Sequence, residues 1–318
     1  VIARRSTLVL AAGWMLFATA ADAAYRDVVI GTPGLVSYWR LDETGGTLAA
    51  DQLGANPGTY VNAPALGVPG ALLWDSDPAA AFDGGSQCVV AGAASFGTPS
   101  SVTVEVWVAI AATKPGGWIH FLVTDSANDF NEGFMLGINA ANAPFASFAS
   151  AGAQALPAAT NPLGLNTWHH LVSTFEGSTG AALLYVDGQL AGTDRLDAGI
   201  GYSADAGLVL GSQYKPYLQE ERFLVGALDE VALYSRALTP TEIAAHYLAG
   251  TRPDAGVDAG QPDSGLAADA GVRLEPFALT LGCGCGSHQG PLAAWVTWLS
   301  AMLGMRRARG TRVFTRRE

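Results

Sequence analysis

The 318-residue sequence predicts an all-β domain, a two-sheet antiparallel sandwich with one short C-terminal helix. Three observations carry this. Between Tyr25 and Gly250, apolar residues recur with a period of two. The runs are short and separated by turns rich in Gly, which accounts for 39 residues. No helical pattern alternates with them, which excludes a parallel α/β sheet.

The elements follow in order. Residues 35–41, 80–82 and 87–91 read as short strands. Residues 101–111 give the clearest one. Val102, Val104, Val106, Val108 and Ile110 fall on one face, and Thr103, Glu105, Trp107 and Ala109 on the other. Residues 119–124, 134–138 and 168–175 come next. Residues 182–187 turn at Asp187-Gly188 into 189–192, the two-residue hairpin signal in which both central residues need φ > 0. Residues 208–211 and a long run, 223–234, complete the strands. Thr239-Pro240-Thr241-Glu242 is a capping box with Pro at the first helical position. Ile243, His246 and Tyr247 then share a face, and Gly250 ends the helix. This lone helix is expected to cross an edge or open end of the sandwich.

The two ends do not read as fold. Residues 1–23 carry Arg4-Arg5, an apolar run and Ala21-Asp22-Ala23, the layout of a secretory signal peptide. Residues 251–282 repeat Asp-Ala-Gly with Pro and lack the apolar residues to bury a core, so they predict an extended, disordered linker. Residues 283–318 hold Cys283-Gly284-Cys285, a short apolar stretch and six Arg. They predict a short hydrophobic anchor helix with its basic end toward the cytoplasm. Its roughly 15 residues reach only ~22 Å.

Charged residues are 14% of the chain and the net charge is −11. Residues 25–250 alone hold 7 basic and 21 acidic residues, a net of −14, whereas residues 283–318 are net +5. An acidic domain excludes a phosphate-tracking protein, so no nucleic-acid partner is expected. Of three Cys, only Cys88 lies in the globular part, where it reads as a small buried hydrophobe.

The motifs run in a telling order: Tyr38-Trp39-Arg40-Leu41-Asp42-Glu43, Ala81-Phe82-Asp83-Gly84, Val104-Glu105-Val106-Trp107-Val108, Asn166-Thr167-Trp168-His169-His170, Leu184-Tyr185-Val186-Asp187-Gly188, then Leu228-Asp229-Glu230-Val231 through Tyr234-Ser235-Arg236-Ala237-Leu238. Over residues 24–250 this series resembles the laminin-G-like jelly-roll domain of the concanavalin A-like lectin/glucanase superfamily. The resemblance implies a jelly-roll sandwich, often with calcium, that binds carbohydrate or protein; some members are glycosidases. The Cys-Gly-Cys tail resembles a myxobacterial-type C-terminal sorting tail. That implies export machinery and a membrane sorting protease as partners, and attachment at the cell surface through Cys283 or Cys285.

Asp229 lies in an apolar strand, on a face read as shared with Val225, Val231 and Leu233. A carboxylate there needs a hydrogen bond or a cation. Asp42 ends the first strand, so Asp42 and Asp229 are the candidate ligands of a structural Ca²⁺. The alternative for Asp229 is a turn cap or a pair with Arg40 or Arg236. Asp129 and Phe130, in an oxygen-rich loop, and Trp118, Tyr214 and Tyr217, in loop-like contexts, are candidate ligand contacts. Trp39, Trp107 and Trp168 read as core. His169 and His170 are adjacent in a strand and point to opposite faces, so one zinc ion cannot readily take both.

No Glu-x-Asp-x-x-Glu run is present, Glu105 is alone in its strand, and Asp229 and Glu230 are read as pointing to opposite faces. Paired carboxylates for glycoside hydrolysis are therefore not expected. The sequence favours a non-catalytic, exported, surface-attached recognition domain for a polysaccharide or glycoprotein. The alternatives are a protein-interaction or structural surface domain, and a degenerate glycoside hydrolase.

Overall fold

The computed structural model describes residues 24–91, 97–114, 119–127, 129–204, 206–213 and 222–252. The predicted signal peptide, all but the first two residues of the linker, and the tail with Cys283 and Cys285 lie outside the described residues, as do Trp118, Tyr214 and Tyr217. So does the side chain of Asp129.

Sixteen strands form two eight-stranded antiparallel sheets among the described residues. In chain order they are β1 (Leu35–Trp39), β2 (Leu48–Ala49), β3 (Gly58–Val61), β4 (Ala65–Pro69), β5 (Pro78–Asp83), β6 (Cys88–Val90), β7 (Val102–Ile110) and β8 (His120–Asp125). There follow β9 (Gly133–Ile138), β10 (Pro144–Ser150), β11 (Ala153–Ala155), β12 (Trp168–Glu176), β13 (Ala181–Val186), β14 (Gln189–Arg195), β15 (Leu208–Leu210) and β16 (Val225–Tyr234). The first sheet runs β14-β13-β12-β7-β16-β5-β4, with β1 also on β16. The second runs β11-β10-β9-β8-β15-β6-β3-β2.

The inward faces alternate as the period-two pattern requires. Val102, Val104, Val106, Val108 and Ile110 of β7 meet Leu122, Leu136, Phe148 and Phe175 in one apolar core between the sheets. The Asp187-Gly188 hairpin forms with φ of 50° and 73°. Strands β2, β3, β4, β10 and β11 go unassigned in the sequence reading because they are short or carry Gly, Ala and Ser that leave little alternation to see.

The helix expected from the capping box is α2 (Pro240–Thr251), with both reciprocal bonds of the box present. Three parts of the expectation change. Gly250 does not end the helix; it lies buried inside it, where a Cβ would stand 2.5 Å from the Trp107 ring, and Arg252 is the C-cap. The helix is not alone, because a seven-residue α1 (Tyr25–Gly31) packs beside it; Thr32 Oγ1 lies 2.9 Å from His246 Nε2. The pair also covers the outer face of the first sheet, not an edge. Tyr25, Val29 and Ile243 join Trp107, Val172 and Tyr234 in a second apolar cluster there. Val29 and Ile243 are fully buried, worth ~1.5–3 kcal/mol each relative to exposure.

The face assignment of Asp229 also changes. The register of β16 against β7 shifts between Asp229 and Ala232, a β-bulge in which Glu230 takes a left-handed φ of 51°. The inserted residue reverses the phase. Val231 and Leu233 face the inter-sheet core, while Asp229, paired with Trp107, faces the helix-covered side.

Candidate functional site

The free edge of β16 changes partner at the bulge. Val225–Leu228 pair with β5, and Val231–Tyr234 pair with β1. Both partners are antiparallel to β16, so the end of β1 and the start of β5 meet opposite Asp229-Glu230. The segments leaving that junction bring Arg40 and Asp42 from one side, and Asp75 and Asp77 from the other. The first and last strands do lie side by side, as the Asp42–Asp229 reading needs.

Arg40 is the cation of this junction. Its guanidinium lies 3.1 Å from Glu230 Oε1, 2.8 Å from Asp75 Oδ2, 2.7 Å from Asp77 Oδ2 and 4.0 Å from Asp42 Oδ2. Tyr38 Oη also donates to Glu230 Oε2. One guanidinium therefore faces four carboxylates, and Asp229 adds a fifth nearby. Asp77, Asp229 and Glu230 each offer an oxygen within 4.8 Å of the others. The bulge overturns the expectation that Asp229 and Glu230 point to opposite faces.

Asp229 is fully buried. Its Oδ2 accepts from the Ala71 amide at 2.8 Å, and its Oδ1 has no partner. It pairs with neither Arg40 nor Arg236; Arg236 binds Glu242 instead. An unsatisfied buried carboxylate oxygen is costly. Burial, with the charge of Asp77, pushes the Asp229 carboxyl well above the ordinary carboxylate range. Burial does the same to Glu230. Burial pushes Asp77 up to about 7, against the pull of Arg40 and with the repulsion of Asp42 and Asp75.

The residues fit a hard cation. The donors are carboxylate oxygens from three chain segments, one of them orphaned, and Ca²⁺ takes six to eight oxygens. Gly70 lets the loop close on them: a Cβ there would stand 2.1 Å from the Asp77 carbonyl and 3.0 Å from Asp229 Oδ2. Sequence reasoning reached Asp42 and Asp229 but missed Asp75, Asp77 and Glu230. The Asp-Ser-Asp run ahead of Pro78 is a visible signal only once the β1–β5 junction is known.

A second polar site lies on the same face of the same sheet. Glu105 is the one carboxylate of β7, as read, but other elements bring it partners: its Oε1 accepts from Tyr25 Oη at 2.9 Å and lies 2.7 Å from His170 Nε2. His246 Nδ1 lies 3.0 and 2.9 Å from its two oxygens. Burial alone would raise the Glu105 carboxyl, but His246 and His170 outweigh it and hold it well below the ordinary range. Burial opposes protonation of His246, and attraction to Glu105 overrides this and raises it. His169 instead lies 2.8 Å from Asp187 Oδ2, so the adjacent histidines hold separate partners.

Phe130 packs at a tilt against Phe121 and Phe145, with ring centroids 6.2 Å away in each case, and is half-buried. Tyr202 lines an open depression of about 440 Å³ with Thr98, Pro99 and Ile200. Trp39, Trp107 and Trp168 are buried, as expected.

Comparison with known proteins adds three findings. C-reactive protein of Oryctolagus cuniculus is 33% identical over 85 residues, which is 26% of this chain and 38% of that protein. A Trypanosoma rangeli sialidase, solved with a 2,3-difluoro-KDN compound, superposes with a TM-score of 0.53 at 19% identity. The match covers 70% of this chain and 34% of the sialidase. A mutant of the same sialidase displaying trans-sialidase activity gives 0.51 at 17%, over 72% and 36%. The chain thus spans about a third of the length of these relatives, and the sialidases share its fold. Residues 83–244, half of the chain, match the sequence pattern of one family, and the chain belongs to the concanavalin A-like lectin/glucanases superfamily.

Proposed function

We propose that the domain is a non-catalytic recognition module for carbohydrate, ordered by a bound Ca²⁺, in a chain that is exported and held at the cell surface. The observation that carries the cation is the orphaned Oδ1 of Asp229 beside Asp77 and Glu230. When bound, Ca²⁺ supplies positive charge that Arg40 alone does not, and ties the ends of β1 and β5 to β16. Asp77, Asp229 and Glu230 would hold it, with Asp42 at the rim. Arg40 neutralises the outward carboxylates and keeps the two strand ends together.

The same burial supports the absence of catalysis. A glycosidase must reach the scissile bond with two carboxyl groups. Asp229 and Glu230 are sealed at 0% exposure. Superfamily membership supports carbohydrate as the ligand class. The signal-like first 23 residues and the Cys-Gly-Cys tail support export and attachment, with a sorting protease and export machinery as partners.

Two measurements test this reading. Free Ca²⁺ at about 100 times its Kd should stabilise the protein by about 2.7 kcal/mol, which raises Tm by roughly 5–10 °C. A Tm that neither Ca²⁺ nor excess chelator changes removes calcium. A polysaccharide panel should give binding without release of reducing ends, and turnover would replace the binding module with an enzyme.

A further inference from the structure

The loop between β4 and β5, residues 70–77, closes over the acidic junction and carries a feature the cation does not need. Ala71 and Leu72 turn inward and are each 6% exposed. Leu73 and Trp74 turn outward, at 45% and 55%. Trp74 is the one aromatic side chain more than a third exposed among the described residues. Asp75 and Asp77 then return to Arg40 at 2.8 and 2.7 Å.

The outward pair is therefore clamped on both sides, by the Ala71–Asp229 bond before it and by the two ion pairs after it. Such a clamp leaves little backbone freedom to lose on binding, the condition under which an exposed aromatic gives affinity. An indole face buries large area and tolerates the apolar face of a ring whose edges carry hydroxyls. Asp75, an acceptor for those hydroxyls, follows it in the chain, and Asp42 shares Arg40 with Asp75. The side chain of Asp75 is 37% exposed and that of Asp42 33%, while Arg40 shows 13%.

Charge narrows the occupant. Asp42, Asp75, Asp77 and Glu230 share one guanidinium, and the domain carries −14 over residues 25–250. A carboxylated sugar would meet like charge and pay for it in affinity. We propose that Trp74, flanked by Leu73, is the stacking platform for a sugar ring that is neutral or amine-bearing, with Asp75 and Asp42 reading its hydroxyl or amino edge. This rests on the carbohydrate reading above and assigns it a place and a ligand charge.

The test is an array of neutral, amine-bearing and carboxylated oligosaccharides, probed with the full chain and its Trp74→Ala and Trp74→Phe variants at low salt. The expected result is binding to neutral or amine-bearing oligosaccharides, about tenfold weaker for Trp74→Ala and intermediate for Trp74→Phe. Thermal unfolding of both variants should match the wild type, because the side chain is exposed. Wild-type binding that Trp74→Ala leaves unchanged overturns the platform and leaves the carbohydrate reading standing; loss of that binding in a Tyr202→Ala variant would move the site to the Thr98–Tyr202 depression. A preference for carboxylated oligosaccharides overturns the charge assignment. No binding by the wild type to any member overturns both readings.

Discussion

Two buried carboxylate sites share the outer face of one sheet and solve the same electrostatic problem in opposite ways. Glu105 meets two histidines and a tyrosine from β12, α2 and α1, so the chain itself supplies both the positive charge and the donors. Asp229, opposite Trp107 and two residues further along β7, lies among other acids with one oxygen unpartnered. In the first, counter-charge comes from the chain's own histidines, and the product is the docking of two helices. The second is short of positive charge, and that shortage points to a cation from outside. A buried acid surrounded by its own bases is a structural device, whereas a buried acid surrounded by acids invites a ligand.

The largest way to break this contrast is Glu105→Gln. Removing one partner of a buried pair leaves the others uncompensated and should cost about 3–5 kcal/mol in denaturant unfolding. The pH profile gives the sign. Glu105 has a lowered folded pKa, so its contribution is present above about pH 4.3 and lost as pH falls further. His246 has a raised one, so its contribution is present below about pH 6.5 and lost as pH rises through its folded value. The wild type should be most stabilised by this cluster between those limits, and Glu105→Gln should flatten the profile on both sides. An unchanged profile would mean that helix docking depends on apolar packing alone.

Asp229→Asn should behave differently. Without Ca²⁺ it replaces a buried acid that had no base with a neutral amide, so stability should hold or rise. The roughly 2.7 kcal/mol of Ca²⁺ stabilisation should vanish. A variant that keeps the full calcium response would place the cation elsewhere. Smaller still is Gly70→Ala. Its Cβ would press on the Asp77 carbonyl, with an expected cost of about 1–3 kcal/mol and a weakened calcium response. The pH response of the Glu105 cluster should stay as in the wild type, and a change there would show that the two sites are coupled.

Much of the fold was legible in the sequence. The alternation of 102–110, the Asp187-Gly188 hairpin and the Thr239–Glu242 box are local signals, and each formed where it was read. The Glu105 cluster was not legible as a site, although Glu105, His170 and His246 were each noticed, because 65 and 141 residues separate Glu105 from its histidines. Asp229 stood out as a carboxylate in an apolar strand. Its true face did not, because alternation assumes an unbroken pleat and Glu230 breaks it. Asp75 and Asp77 went unnoticed in the sequence, since only strand pairing shows that β1 and β5 meet beside them. The α1 helix escaped because seven residues with Val28, Val29 and Ile30 carry no helical signal of their own.

The one-residue bulge has a consequence for how such a site arises and disappears. Inserting a single residue into β16 leaves Leu228 on one side and Val231 on the other still pointing into the sandwich, so the core does not register the change. What changes is the parity of the strand at one point, where a carboxylate is gained without displacing any apolar side chain. A single-codon insertion or deletion at this position therefore adds or removes one buried carboxylate at the junction, while Arg40, Asp42, Asp75 and Asp77, on other segments, stay in place.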